Sequence, residues 1–145
     1  MRVVVQRVKS AKVEIEGCAV GQIGNGLLAL VGIAKGDGET QVRWMAEKLV
    51  NLRIFEDDEG KMNCSVVGTG GAILLVPNFT VCGDANKGRR PSFDSAANFS
   101  DGEKLFASLL DEVRKTGVQT EAGIFGGDMQ VSLVNDGPVT LVIEI

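Results

Sequence analysis

Two uncharged apolar runs constrain this chain more than anything else in it: LLALVGIA at residues 27–34 and AILLV at 72–76. Both are far shorter than the roughly 18 residues of a membrane span. Turn-forming glycines precede each, GNG at 24–26 and GTGG at 68–71. Such runs suit core strands, the longer one buried on both faces, which need cover from other elements. Two helical patterns are placed to supply it. Over 39–51, Val42, Met45, Ala46, Leu49 and Val50 recur at the i, i+3, i+4, i+7, i+8 spacing of one apolar face, with Trp44 off that stripe. A second helix is expected to open at Ser100, where Ser100-Asp101-Gly102-Glu103 matches a capping box. It would bury Phe106, Leu109, Leu110 and Val113 and stop at Thr116-Gly117.

Shorter strands are expected at both ends. Residues 2–8 and 11–17 alternate in polarity and read as a pair with a bend near Lys9-Ser10, and 19–23 adds a third. Two more are expected at about 128–134 and 139–145. The fold class is therefore mixed α/β, sheet layers with two helices packed on one side, in one domain spanning 1–145.

Composition narrows the chemistry. The 145 residues include no His and no Tyr. That excludes Ser-His-Asp and Cys-His nucleophile systems and a self-contained imidazole metal site. Cys18, Cys64 and Cys82 are odd in number and without CxxC spacing, which argues against a disulfide framework or a zinc site. Asp57-Asp58-Glu59-Gly60 lacks the spaced ligands of a calcium loop and reads as a turn. Neither GTGG nor Gly21-x-x-Gly24-x-Gly26 fits a phosphate or dinucleotide loop. No metal and no cofactor are expected. Catalysis would have to use carboxylates, lysines, hydroxyls, backbone amides or groups brought by the substrate. A formal net charge of −4 does not suggest a nucleic-acid binder, yet Lys87-Gly88-Arg89-Arg90 runs the other way, as a solvated loop or a phosphate contact. The opening MRVVVQRVKS is interrupted by charges and reads as a strand rather than a signal peptide, so a cytoplasmic location without membrane association is expected.

Two stretches raise questions of their own. In AILLVPNFTV the strand meets Pro77, which cannot donate to a central ladder, so it must end, bulge or reach an edge there. The amides of Asn78, Phe79 and Thr80 would then either mark a bare strand exit or line a cavity. In NDGPVT at 135–140, Asp-Gly and Gly-Pro are both turn signals. The stretch is either a hairpin tip or a piece of backbone built to touch something.

Along nearly its whole length the chain resembles the D-aminoacyl-tRNA deacylases. The resemblance runs through VVQRV-KSAKVEIEG, RIFEDDEGKMN, GDANKGRRPSF and GDMQVSLVNDGPVT. Of the family's two signature motifs, Asn-x-Gly-Pro-Val-Thr is intact at 135–140. Ser-Gln-Phe-Thr-Leu stands here as Pro77-Asn78-Phe79-Thr80-Val81.

The resemblance implies a homodimer that cleaves the ester joining a D-amino acid, and often glycine (as on mischarged tRNA-Ala), to the 3′ adenosine of tRNA. It implies a cis Gly137-Pro138 bond whose carbonyls enter the partner subunit's pocket and fill the space an L side chain would need. The Phe79 amide would hold the oxyanion and the tRNA 2′-OH would assist, with Thr80 orienting groups or, less in keeping with the absence of a base, acting as nucleophile. Asn78 would belong to the substrate site, Met129 would line the pocket unless it is a core methionine, and Arg7 would brace the Gly-Pro loop. Lys87, Arg89 and Arg90 are the candidate tRNA phosphate contacts, and no DNA partner is expected. Pro77 and Asn78 depart from the family's Ser-Gln. A sister group that tolerates L-alanine also begins this motif with Pro, whereas Phe79 and Arg7 favour the D-specific type. Two other readings stay open: a deacylase acting mainly on glycyl- or L-alanyl-tRNA, and an inactive tRNA-binding dimer.

Overall fold

The computed structural model describes Met1–Ile145. Its spine is β1 (Arg2–Ile15), a 14-residue strand that pairs along both edges. On one edge it meets β3 (Gly26–Gly32) through residues 2–8 and β2 (Cys18–Ile23) through residues 11–15, both antiparallel. On the other edge it carries β8 (Gln130–Glu144), also antiparallel, over nearly its full length. Next to β3 lies β6 (Ala72–Pro77), and next to that β7 (Gln119–Ala122), both in parallel register. The parallel steps need crossovers. The first contains α1 (Glu39–Asn51) and the small hairpin β4 (Phe55–Glu56) and β5 (Met62–Cys64). The second contains α2 (Phe99–Lys115), which packs against α1.

The strands at 2–8 and 11–17 are not a pair. The chain runs straight through Lys9-Ser10, and what changes there is the face it buries. Val3 and Val5 point into the core beneath the helices, while Val8, Ala11 and Val13 join a second core on the opposite side. β3 and β6 lie between the two. Leu27, Ala29, Val31, Ile73 and Leu75 face the helices, and Leu28, Leu74 and Val76 face the second core. This accounts for the uncharged runs, since each strand is covered on both sides. The helix-side core holds 22 buried residues against 8 opposite. Most of the burial energy, about 1.5–3 kcal/mol for each fully buried Leu, Ile or Val side chain, therefore lies under the helices.

The two expected terminal strands are likewise one. β8 stays paired to β1 on both sides of NDGPVT, with Thr140 opposite Gln6 and Asn135 opposite Val8. Residues 136–139 therefore stand against Arg7 alone: the stretch is an enlarged bulge and not a hairpin tip. The β4–β5 hairpin around the Asp57 turn, and β7 with its polar sequence Gln-Thr-Glu-Ala, were not evident from periodicity.

The second helix starts before the capping box. Its N-cap is Asn98, whose Oδ1 accepts from the Asp101 amide at 3.0 Å while its Nδ2 donates to the Asp101 carboxylate at 2.7 Å. Ser100 lies inside the first turn, and Leu110 is half-buried. Asn98→Ala is therefore expected to lower unfolding stability by about 1 kcal/mol. Ser100→Ala should stay within about 0.5 kcal/mol of the parent. Urea midpoints of the two variants check the assignment, and the reverse order would restore the cap to Ser100.

Candidate active site

β6 ends at Pro77, which still aligns with Val31. Beyond it the backbone winds into a 3-10 turn, Phe79–Cys82. Of the three amides expected to line a cavity, two are engaged. Asn78 N–H donates to the Val31 carbonyl at 2.8 Å, and Thr80 N–H donates to the Asn78 side-chain Oδ1 at 3.2 Å. Phe79 is the first residue of the turn, so its N–H has no acceptor within it. The same Asn78 Oδ1 also accepts from the Thr80 hydroxyl at 2.5 Å. Asn78 thus caps the turn and restrains Thr80.

A cleft of ≈ 320 Å³ opens beside this turn, lined by Leu30, Pro77, Asn78, Phe79, Met129 and Val131 among others. Met129 does both things expected of it, lining the cleft and packing on the second core. Pro77, Phe79 and Gly126 also line an apolar cavity of ≈ 280 Å³, together with Ala97, Phe99 and Phe125. The Phe99 and Phe125 rings meet edge to face at 5.1 Å, and Phe125 leans on the core ring of Phe106. Gly126, at φ +75°, lies where a Cβ would come within 2.8 Å of the Phe99 ring. Phe125 and Phe99 lie outside the two motifs, and nothing in the sequence period marks them. Their signal is aromatic content beside a glycine-rich turn.

No side-chain nucleophile in activated form lies here. Cys82 closes the 3-10 turn, but burial pushes its thiol above the ordinary cysteine value, so it is neutral at pH 7. A larger cavity of ≈ 600 Å³ between the starts of α1 and α2 has its buried carboxylate, Asp37, already engaged by the Met1 ammonium at 2.6 Å and the Ala34 amide at 2.7 Å.

The bulge is a separate construction. Asn135 closes it like a missing strand partner: its Oδ1 accepts from Val139 N–H at 2.8 Å and its Nδ2 donates to the Val139 carbonyl at 3.0 Å. Thr140 Oγ1 accepts from Asn135 and from Gln6, each at 3.1 Å, and Val139 plugs the main core. Arg7, a buried cation, holds the loop from beneath. Its Nε donates to the Asp136 carbonyl at 2.9 Å and its Nη1 to the Ile54 carbonyl at 2.6 Å. The Gly137–Pro138 bond is cis, and both residues are exposed. Neither lines the cleft. Lys87, Arg89 and Arg90 form a third group, exposed on a loop closed by the Asp84–Ser92 bridge and free of ion pairs.

A strand exit beside a cleft that Phe79 and Asn78 line, in a chain with no imidazole, and a loop held up by a buried arginine make up the candidate site. The family model for D-Tyr-tRNA(Tyr) deacylase matches residues 4–144, and the chain belongs to that family, as an enzyme of the D-aminoacyl-tRNA deacylase class. It is 55% identical over 145 residues to the D-aminoacyl-tRNA deacylase of Carboxydothermus hydrogenoformans, covering 100% of both chains. It is 53% identical to that of Geobacter sulfurreducens over 99% of this chain and 95% of the relative. Among solved structures, the c-Myc DNA unwinding element binding protein superposes with a TM-score of 0.94 at 38% identity, over 100% of this chain and 99% of that one. A probable eukaryotic D-amino acid tRNA deacylase shares the fold with a TM-score of 0.85 at 19% identity, over 99% and 98% of the two chains.

The packing around Gly137 yields a test. At φ +146°, a Cβ there would lie 2.7 Å from Val139 Cγ2, 2.9 Å from Val139 N and 3.3 Å from Arg7 Nη2. Gly137→Ala is expected to displace the bulge and reduce turnover at least tenfold while the helices stay folded. Activity paired with far-UV circular dichroism checks this, and full activity would show that the loop yields without consequence.

Proposed function

We propose that the protein hydrolyses the ester bond of D-aminoacyl-tRNA, and of glycyl-tRNA, by main-chain stabilisation of the tetrahedral intermediate. The observation that carries the reading is the Phe79 amide, uncommitted within its turn at the mouth of a cleft that holds no activated nucleophile. A donor aimed at a developing oxyanion is worth about 10²–10³ in rate. The attacking water is assisted by the 2′-OH of the terminal ribose, a group the substrate brings. Asn78 keeps the turn, and so the Phe79 N–H, in place. The terminal adenine stacks in the apolar cavity of Phe99 and Phe125, since base–aromatic stacking needs only a flat ring face. Lys87, Arg89 and Arg90 neutralise backbone phosphates, giving an acidic protein a local handle on RNA.

Selection between hands requires a second copy. Gly137 and Pro138 protrude from their own subunit, and β8 offers a 15-residue strand whose outer edge has no partner. That strand exposes Val134 and Val142 at 55% and 64%, a long apolar edge of the kind proteins cover. In the homodimer the Gly137-Pro138 carbonyls of one subunit enter the other's cleft and fill the space beside the substrate Cα where an L side chain would lie. A D side chain points away, and glycine has none, so both pass.

Two measurements test the reading. On matched D-, L- and glycyl-tRNA, D and glycine substrates should be cleaved and L substrates spared. Efficient cleavage of L-alanyl-tRNA would favour the sister type with Pro first in its motif, and no cleavage at all would leave an RNA-binding dimer. Because the Thr80 hydroxyl is given to Asn78 and no base adjoins it, Thr80→Ala should retain activity within about tenfold, about 1.4 kcal/mol of barrier. A loss of four orders of magnitude in a folded variant would make the hydroxyl the nucleophile.

A further inference from the structure

Phe93, like Trp44, is an exposed aromatic that the proposed chemistry leaves unused. Its ring meets Phe79 edge to face, centroids 5.2 Å apart, and 37% of the residue is open to solvent. It packs closely enough on Gly83 that a Cβ there would come within 2.8 Å of Phe93 Cε1. The segment that carries Phe93 is tied to the 3-10 turn at two further points. Asp84 and Ser92 exchange two backbone hydrogen bonds of 2.8 Å, and Ser95 Oγ donates to the Cys82 carbonyl at 2.6 Å. Phe79 and Phe93 therefore keep a fixed spacing.

The Asp84–Ser92 bridge is also the neck of the loop bearing Lys87, Arg89 and Arg90. The two carboxylates of this segment are held locally, Asp84 by the Asn86 amide and side chain and Asp94 by the Ser92 hydroxyl. The three cations are unpaired and exposed. Phe79 lines the cleft and touches Phe93, and Phe93 directly follows the strand bridge that closes the basic loop. A ring face followed by free cations is the pattern that binds single-stranded nucleic acid, with bases stacking and phosphates neutralised.

We infer that Phe93 is a stacking shelf for the unpaired nucleotides preceding the terminal adenosine, guiding the single-stranded 3′ end from the basic loop to the cleft. This rests on the proposed function, because it takes the cleft to hold the charged terminus. It adds a subsite, one that reads the strand as single-stranded and not its sequence, since every base offers a flat face.

The test is binding of uncharged RNA, which needs no turnover. A short acceptor hairpin with a four-nucleotide 3′ overhang is compared with the same hairpin made blunt. The parent protein should prefer the overhang. Phe93→Leu, apolar and able to fill the space over Gly83, should weaken the overhang hairpin about 5- to 150-fold and leave the blunt one unchanged. Phe93→Trp, which keeps a stacking face, should stay within about threefold of the parent. Lys87→Ala with Arg89→Ala should weaken both hairpins and flatten the log–log salt slope by about one for each phosphate no longer neutralised. Hydrolysis of 3′-O-(D-alanyl)adenosine separates this inference from the reading it rests on: Phe93→Leu should match the parent there. If the parent fails to cleave that ester and also fails to cleave the charged tRNA, the proposed function falls, while the binding result still decides the shelf. Equal binding of the two hairpins by the parent, or overhang binding undiminished in Phe93→Leu, would overturn it. So would a Phe93→Trp variant as weak as Phe93→Leu.

Discussion

The antiparallel ladder between β1 and β8 is the constraint on which the rest of this structure depends. It must take up four residues against one at Arg7 and still close in register on both sides. Asn135 and Arg7 make that feasible. The first pairs with both polar groups of Val139, and the second gives its guanidinium to the carbonyls of Asp136 and Ile54. Hydrogen bonds from a charged donor contribute about 1.5–3 kcal/mol, and losing one here would leave buried carbonyl oxygens without a partner. The cost of burying a cation is offset by those bonds and by the Asp136 carboxylate 3.8 Å away. A loop fixed in this way holds Gly137 and Pro138 exposed, as the proposed selection by shape requires.

The switch of buried face along β1 has an equally direct effect. It wraps the sheet over itself, so that β3 and β6 run between two cores and end together. Ligand sites in parallel sheets gather at the carboxyl ends of strands. Here the cleft begins where β6 stops at Pro77, and the turn that follows presents an amide where the ladder no longer needs one. The Val31 carbonyl is bonded by the Asn78 amide, so the β3–β6 ladder does not call on the proline nitrogen. The Asn78 side chain caps the turn that follows.

Much of this could be read beforehand. The two apolar runs and the 3.6-residue stripe of α1 were legible because burial on both faces, or on one helical face, writes a strong pattern. The family likeness brought together residues that no local pattern connects: Phe79, Gly137 and Arg7 are far apart in sequence. The failures share a cause. A bulge and a hairpin use the same residues, so NDGPVT and Lys9-Ser10 looked like reversals, although what separates the two cases is pairing to a strand more than a hundred residues distant. β7 escaped because it is a four-residue edge strand, with Gln119 exposed and Thr120, Glu121 and Ala122 half-buried, too short to show a period. The cap of α2 was displaced because Asn98 and Ser100 both carry capping side chains, and only the chain's direction on entering the helix decides between them.

Pro77 is one wall of both the cleft and the aromatic cavity. The two chambers are therefore coupled like rooms that share a partition, and neither can be enlarged at position 77 without altering the other. On the proposed function, in which the cleft takes the acyl group and the aromatic cavity the base, a larger residue there would tighten both together. A smaller, more mobile one would blur the boundary on which the angle between sugar and ester depends. The pyrrolidine ring, with its φ restricted, makes that partition rigid. On that proposed assignment, preference for the amino acid and grip on the nucleotide are linked quantities, and a single substitution at residue 77 would move both.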